Sequence, residues 1–321
     1  MMQTRITKLF NIQYPIVQAG MIWTSGWKLA AAAAKAGALG LIGAGSMHPD
    51  NLRHHIQSAK QALAGTKGVF GVNVPLLYPQ ISEIMGIIMD EGVRVVFTSA
   101  GSPAAWTKPL QAAGCKVVHV TASTKFACKA RDAGCDAVVA EGFEAGGHNG
   151  REETTTLVLI PLVVEAVGED IPVIAAGGIG TGSQMAAALA LGAEGVQVGS
   201  RFAATQEASC HPAFKTRIVA AQEGDTVLAL KKTVPVRLLR NEFQQAVLAA
   251  EARGANNEEL NTLLGKGRAK RGMFEGDLIE GELEIGQVAA AIHDIPTADT
   301  VVHRLMTDCQ ATLMRLVKWT V

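Results

Sequence analysis

The 321-residue chain predicts an α/β fold, a (β/α)8 barrel with a smaller helical cap after its last strand, on three observations. First, one junction recurs: an alanine-rich helical stretch ends at glycine, and a Val/Ile-rich run starts within three residues, at Gly37, Gly92, Gly114, Gly134 and Gly192. Glycine just past a helix end takes the left-handed conformation that stops the helix, and an apolar run suits a strand covered on both faces. Second, such runs number eight with helical stretches between them, the element order of a closed parallel barrel. Third, the first run ends in Gln18-Ala-Gly20-Met21 without the GxGxxG spacing that an open doubly wound sheet would place there.

In chain order, the first strand is 15–19, closed by the small Ala19-Gly20 turn. Strands at 38–43, 94–98, 116–120, 136–140 and 195–199 follow the five glycine junctions. Those at 69–74 and 172–176 are recognised by β-branched content and by the glycine or asparagine at their ends. After 202 the rhythm stops, and 203–290 carries charged, helix-compatible stretches such as Arg240-Asn-Glu-Phe-Gln-Gln-Ala-Val, read as a cap over the mouth. An amphipathic helix at 297–318 closes the chain. The expected division is therefore 1–202 barrel, 203–290 cap and 291–321 closing helix.

Composition narrows the function classes. With 29 basic and 29 acidic residues and no long basic run, neither nucleic acid nor an anionic membrane is expected as partner. Aromatics are 5% against 34 glycines, which disfavours base-stacking platforms. Cys115, Cys128, Cys135, Cys210 and Cys309 form no CxxC pair and read as reduced thiols. No signal core or membrane span is evident, so a cytoplasmic enzyme of small molecules is expected.

A barrel brings its C-terminal strand ends to one mouth. Gly177-Gly178 and Gly199-Ser200, after the last two strands, have the make-up of a phosphate cradle: backbone N–H groups can approach the oxygens and Ser200 adds a hydroxyl. A sugar phosphate and a flavin mononucleotide would use the same cradle. The Ala19-Gly20 turn and the Asn73 amide favour a flat ring with a polar edge. His148, in the glycine-rich loop Glu141-Gly-Phe-Glu-Ala-Gly-Gly-His148, is the candidate general acid or carbonyl donor. Met21 can lie over the ring or fill core, and His119, inside a strand, reads as core or mouth. The other six histidines default to surface or packing roles. No metal ligand set and no Ser nucleophile elbow is present.

These segments, with Gly71-Val-Asn73, Ala175-Ala-Gly-Gly-Ile179, Gln197-Val-Gly-Ser-Arg-Phe202, Thr4-Arg5-Ile6-Thr7 and Ile285-Gly-Gln287, resemble the nitronate monooxygenase superfamily of FMN-dependent barrels, almost over the whole length. Within it the chain is most similar to the FMN-dependent enoyl-[acyl carrier protein] reductases II of the FabK type. The resemblance implies FMN held by Ala19, Gly20, Met21, Asn73, Glu141, Gly147, Ala176, Gly177, Gly178, Gln197, Gly199, Ser200 and Gln287, with His148 catalytic. It also implies NADH or NADPH as hydride donor, a hydride path from nicotinamide to flavin N5 to the β-carbon of a trans-2-enoyl thioester, an acyl carrier protein partner and a homodimer. The chain departs from the pattern at Gly286, where a small residue such as alanine is expected, and mildly at Ser99-Ala-Gly-Ser102. Basic stretches at Lys231–Arg240 and Lys266–Arg271 offer cations for an acidic carrier protein or for the 2′-phosphate of NADPH. Nitronate oxidation with His148 as base, quinone reduction and non-catalytic FMN sensing are the alternatives on the same scaffold.

Overall fold

The five glycine junctions do what the sequence requires of them: Gly37, Gly92, Gly114, Gly134 and Gly192 all have φ between +60° and +98°. In the computed structural model, which describes residues 2–318, each is followed by a strand. The barrel strands are β1 (Ile16–Gln18), β2 (Leu39–Gly43), β3 (Val69–Pro75), β4 (Val95–Ser99), β5 (Lys116–Thr121), β6 (Ala137–Glu141), β8 (Val173–Ala176) and β9 (Gly195–Val198). They pair in parallel in that order and close β9 onto β1, through Ile16 opposite Val196.

Alternation along each strand sorts two cores. Val17, Leu39, Leu41, Val95, Phe97, Val118, Val139 and Ile174 fill the interior, and the short helix α1 (Arg5–Phe10) adds Ile6 and Phe10 to that cluster. A capping box starts α1, with Thr4 and Thr7 exchanging side-chain and backbone bonds. Outward-facing residues pack on the helices: α2 (Trp27–Lys35), α3 (Pro49–Leu63), α4 (Ile81–Asp90), α5 (Thr107–Ala112), α6 (Thr124–Asp132), α7 (Thr156–Val167) and α8 (Gly182–Ala190). His119 belongs to this outer layer. Its Nδ1 lies 2.7 Å from Thr98 Oγ1, and burial pushes its pKa down to about 4, which makes it a neutral core residue.

The region after β9 departs from the purely helical cap expected. Besides α9 (Ser200–Ala203), α10 (Pro212–Val219), α11 (Glu242–Ala252) and α12 (Asn257–Leu264), it forms a hairpin of β10 (Thr226–Ala229) and β11 (Val236–Leu239). The third strand of that sheet is β7 (Gly147–His148), from the histidine loop between β6 and α7. Two four-residue runs cannot be told from helix or loop by periodicity, and their partner lies about ninety residues earlier in the chain, so no local signal announces the sheet. Cap residues Leu239, Met273, Leu283 and Ile285 share one hydrophobic cluster with Ile16, Val196 and Phe202 of the barrel. The closing helix α13 (Ala298–Val317) packs along α8, where Gly182 allows the backbones to meet: a Cβ there would stand 2.4 Å from Cys309 N. The cysteines are all free, and no helix among the described residues is long and apolar enough to cross a membrane.

Candidate active site

Three neighbouring strands deliver a lateral row of side chains to the mouth. Glu141 lies opposite Ala176, and Ala176 opposite Gln197. Ala176 belongs to the interior cluster, so its lateral partners also point inward. The row therefore sets only a methyl group between a carboxyl and a carboxamide. Gln197 Oε1 is buried without a hydrogen-bond partner among the described residues. Desolvation alone pushes the Glu141 carboxyl up to about 7. Two polar groups held in this condition are poised to receive a polar partner that the chain itself does not supply.

Across the mouth, Asn73 Nδ2 donates to Gly20 O at 3.2 Å. The turn that presents Gly20 is fixed from below: buried Gln18 accepts from Leu41 N at 3.1 Å and donates to Ser25 Oγ at 3.0 Å. Ser25 Oγ donates to Ala19 O at 2.8 Å and accepts from Met21 N at 3.0 Å. Gly20 has to be glycine, since a Cβ would stand 2.4 Å from Asn73 Cβ. Met21 extends toward the last strand end, its Sδ 3.5 Å from where a Cβ of Gly199 would be.

After β8 and β9 come the two glycine turns. Gly177 and Gly178 have φ of +90° and +67°, and the N–H groups of Gly178, Ile179 and Gly199 find no acceptor among the described residues. Ser200 Oγ accepts from Gly286 N at 2.9 Å, which leaves its own proton free for an outside acceptor. Free backbone donors converging with a hydroxyl are an anion site.

A tie joins this cradle to the histidine loop. Both Glu144 carboxylate oxygens accept from Thr156 N, at 3.1 and 2.9 Å, and Oε2 also accepts from Thr156 Oγ1 at 2.8 Å. Thr156 Oγ1 in turn lies 2.9 Å from Gly177 O. A carboxylate at the first residue of α7 also meets the positive end of that helix.

His148 is exposed at the mouth, but its backbone is held in β7 opposite Val236. Asn149 N donates to Pro235 O at 2.8 Å, and Asn149 Nδ2 donates to Ala145 O at 2.9 Å, so the loop is braced on both sides of the imidazole. The arrangement sets a polar row and an anion cradle at one mouth, with the exposed imidazole on the loop after β6. Such a site is suited to a phosphorylated cofactor.

The family model for nitronate monooxygenase matches residues 3–308. The chain belongs to the nitronate monooxygenase family. It is similar to the solved structure of FabK from Thermotoga maritima, with 40% identity and a TM-score of 0.93, covering 99% of this chain and 100% of that one. It is 32% identical to (3aS,4S,5R,7aS)-5-hydroxy-7a-methyl-1-oxo-octahydro-1H-indene-4-carboxyl-CoA dehydrogenase of Rhodococcus jostii, over 96% of both chains. It is also 30% identical to a probable nitronate monooxygenase of Staphylococcus saprophyticus, over 75% of this chain and 80% of that protein.

As a member of this family the chain is a flavin-dependent oxidoreductase. The residues present fit FMN: the cradle matches its phosphate, and the unpartnered Gln197 Oε1 and desolvated Glu141 match the mixed donors and acceptors of the ring's pyrimidine edge. The structure gathers Ala19, Gly20, Met21, Asn73, Glu141, Ala176, Gly177, Gly178, Gln197, Gly199 and Ser200 around this mouth. Two of the expected residues also have close neighbours within the chain. The Gln287 side chain is exposed, and its backbone N–H donates to Glu144 O at 2.9 Å, so it braces the histidine loop. Gly147, φ +75°, lies in the cap sheet, where a Cβ would stand 2.5 Å from Glu284 Oε2. The departure at Gly286 has a reason as well: a Cβ there would stand 2.9 Å from Glu144 O and 3.0 Å from Ser200 Oγ.

Several cations of the basic stretches have partners within the chain. Arg237 is buried, donates to Phe143 O and stacks on the Phe143 ring at 4.6 Å. Lys231 pairs with Glu153, Arg268 with Glu280 and Arg271 with Asp277. Sequence reasoning missed Thr156, which carries no motif signal.

Proposed function

We propose that the chain is an FMN-dependent reductase that uses NADH or NADPH to reduce trans-2-enoyl-[acyl carrier protein] thioesters to acyl thioesters in fatty-acid synthesis. The observation that carries this reading is the full-length likeness to FabK at a TM-score of 0.93. The Rhodococcus jostii relative is named for a carboxyl-CoA, itself a thioester, which supports an acyl thioester as the class of substrate.

FMN, when bound, supplies a two-electron carrier between a nicotinamide and a conjugated alkene. The chain's own residues do the rest. Gly178, Ile179, Gly199 and Ser200 would hold the FMN phosphate, and Asn73, Glu141 and Gln197 would offer polar partners to its ring. His148, at the open rim, donates a hydrogen bond to the thioester carbonyl as negative charge develops on it, and delivers the proton that completes the saturated product. A homodimer in the cytoplasm is the expected working form, as two-fold assemblies are the commonest.

The test is anaerobic. The bound flavin is reduced with NADH or NADPH, a crotonyl thioester is added, and the flavin absorbance is followed. Prompt return of the oxidised spectrum is the expected outcome. A flavin that stays reduced until a nitroalkane anion, a quinone or air is admitted overturns the enoyl reading and leaves the flavoenzyme assignment standing.

A further inference from the structure

Three consecutive residues of the cap, Pro235, Val236 and Arg237, hold three consecutive residues of the histidine loop. Asn149 N donates to Pro235 O at 2.8 Å, His148 pairs with Val236, and Gly147 pairs with Arg237. Successive side chains of a strand point to opposite faces, so Arg237 lies on the reverse of the sheet from Val236 and His148. There its guanidinium turns back along the loop. Nε and Nη2 both donate to Phe143 O, at 3.1 and 2.9 Å, and Nη1 donates to Thr226 Oγ1 at 3.4 Å. Its Cζ lies over the Phe143 ring, 4.6 Å from the ring centre.

The next residue, Glu144, is held by the barrel instead, its carboxylate accepting from Thr156 N and Oγ1 at the start of α7. Neighbouring residues of one loop are therefore gripped from opposite sides, Phe143 by the cap and Glu144 by the barrel. Between this double anchor and His148 lie only Ala145, Gly146 and Gly147, a run with little stiffness of its own.

Arg237 is 2% exposed, and its acceptors among the described residues are a carbonyl and a hydroxyl rather than a carboxylate. A buried cation so placed is a costly source of stability, since an apolar side chain packed on Phe143 would fill the space without desolvating a charge. What the guanidinium adds is direction, because its rigid fork and flat face fix one carbonyl and one ring together.

We infer that Arg237 is a positioning residue for His148: it fixes the arm of the loop that enters β7, and so sets where the imidazole stands relative to the cradle on the barrel. The catalytic consequence rests on His148 acting on the substrate as proposed above; the placement of the imidazole does not.

Two variants separate the parts of the contact. R237K keeps the charge but loses the fork and the stack, and F143L keeps the carbonyl but loses the ring. In the FMN-loaded proteins the His148 ring-proton resonance is assigned by its loss in H148Q. R237K is expected to shift and broaden that resonance; an unmoved one overturns the positioning whatever substrate the enzyme takes. Single-turnover reoxidation of the reduced flavin by crotonyl thioester is then compared with its reduction by NADH or NADPH. R237K is expected to lose roughly tenfold in reoxidation with flavin reduction unchanged, the size of loss that misplacing a reacting group produces. The double variant R237K/F143L should be no slower than R237K, because both changes act through one contact, and F143Y should recover most of the F143L loss. Equal losses in both half-reactions, or losses that multiply in the double variant, overturn the role. Should R237K fail to fold, F143L with F143Y as its control carries both readouts. A thioester that fails to reoxidise even the wild type sinks the functional reading, while the resonance still reports on the placement of His148.

Discussion

His148→Ala leaves the backbone pairing of β7 with β11 intact, because strand pairing uses main-chain groups and the imidazole is exposed. Flavin retention is therefore expected to survive, with turnover reduced about 10²- to 10⁴-fold, the usual contribution of a positioned proton donor. Flavin absorbance of the purified variant and its single-turnover rate check this, and unchanged turnover removes the histidine from the chemistry. Glu141 offers a pH-dependent counterpart. Its pKa of about 7 in the folded chain lies above that of an exposed glutamate, so the folded state holds the proton more tightly than the unfolded one. Stability from this group is complete below about pH 4.5 and is lost as pH rises toward about 7. Glu141→Gln in the flavin-free protein should abolish that slope and gain on the order of 3 kcal/mol at pH 8, read by urea unfolding at pH 5 and pH 8. Equal slopes in both proteins would show a solvated carboxyl.

Among the elements, the cradle is the most exacting. Gly178 combines φ +67° with a Cβ direction that meets Glu144 Cβ at 3.3 Å, so Gly178→Leu strains the backbone by about 1–2 kcal/mol and also pushes on the carboxylate that caps α7. The variant is expected to purify without yellow colour while keeping its far-ultraviolet circular dichroism; a fully FMN-loaded protein contradicts the cradle assignment. Elements were also where legibility varied most. The barrel strands were readable because each helix stops at glycine and each strand is apolar throughout, two local signals that agree. The β10–β11 hairpin was not, because four residues define no period and its stabilising neighbour, β7, comes from the loop after β6. The histidine loop was opaque as structure: nothing in Gly147-His148 indicates that it serves as a strand.

Over the whole molecule, cap and barrel share one hydrophobic cluster running from Ile16 and Phe202 to Leu239, Leu283 and Ile285. Neither part can unfold without exposing the other's core, so thermal unfolding of the flavin-free chain should be a single transition with coincident midpoints by circular dichroism and tryptophan fluorescence. Two separated transitions would show the cap to be an independent unit. The same sharing explains how the site is assembled. Helix stops, apolar strands, the glycines of the cradle and the histidine loop are local properties, and the order of residues alone was enough to read the barrel and its cofactor class from them. The inward row of Glu141, Ala176 and Gln197 and the brace from Glu144 through Thr156 to Gly177 were decided only by closure of the barrel and docking of the cap. Each depends on strand register between segments far apart in the chain, and register is a property of pairing rather than of either strand by itself.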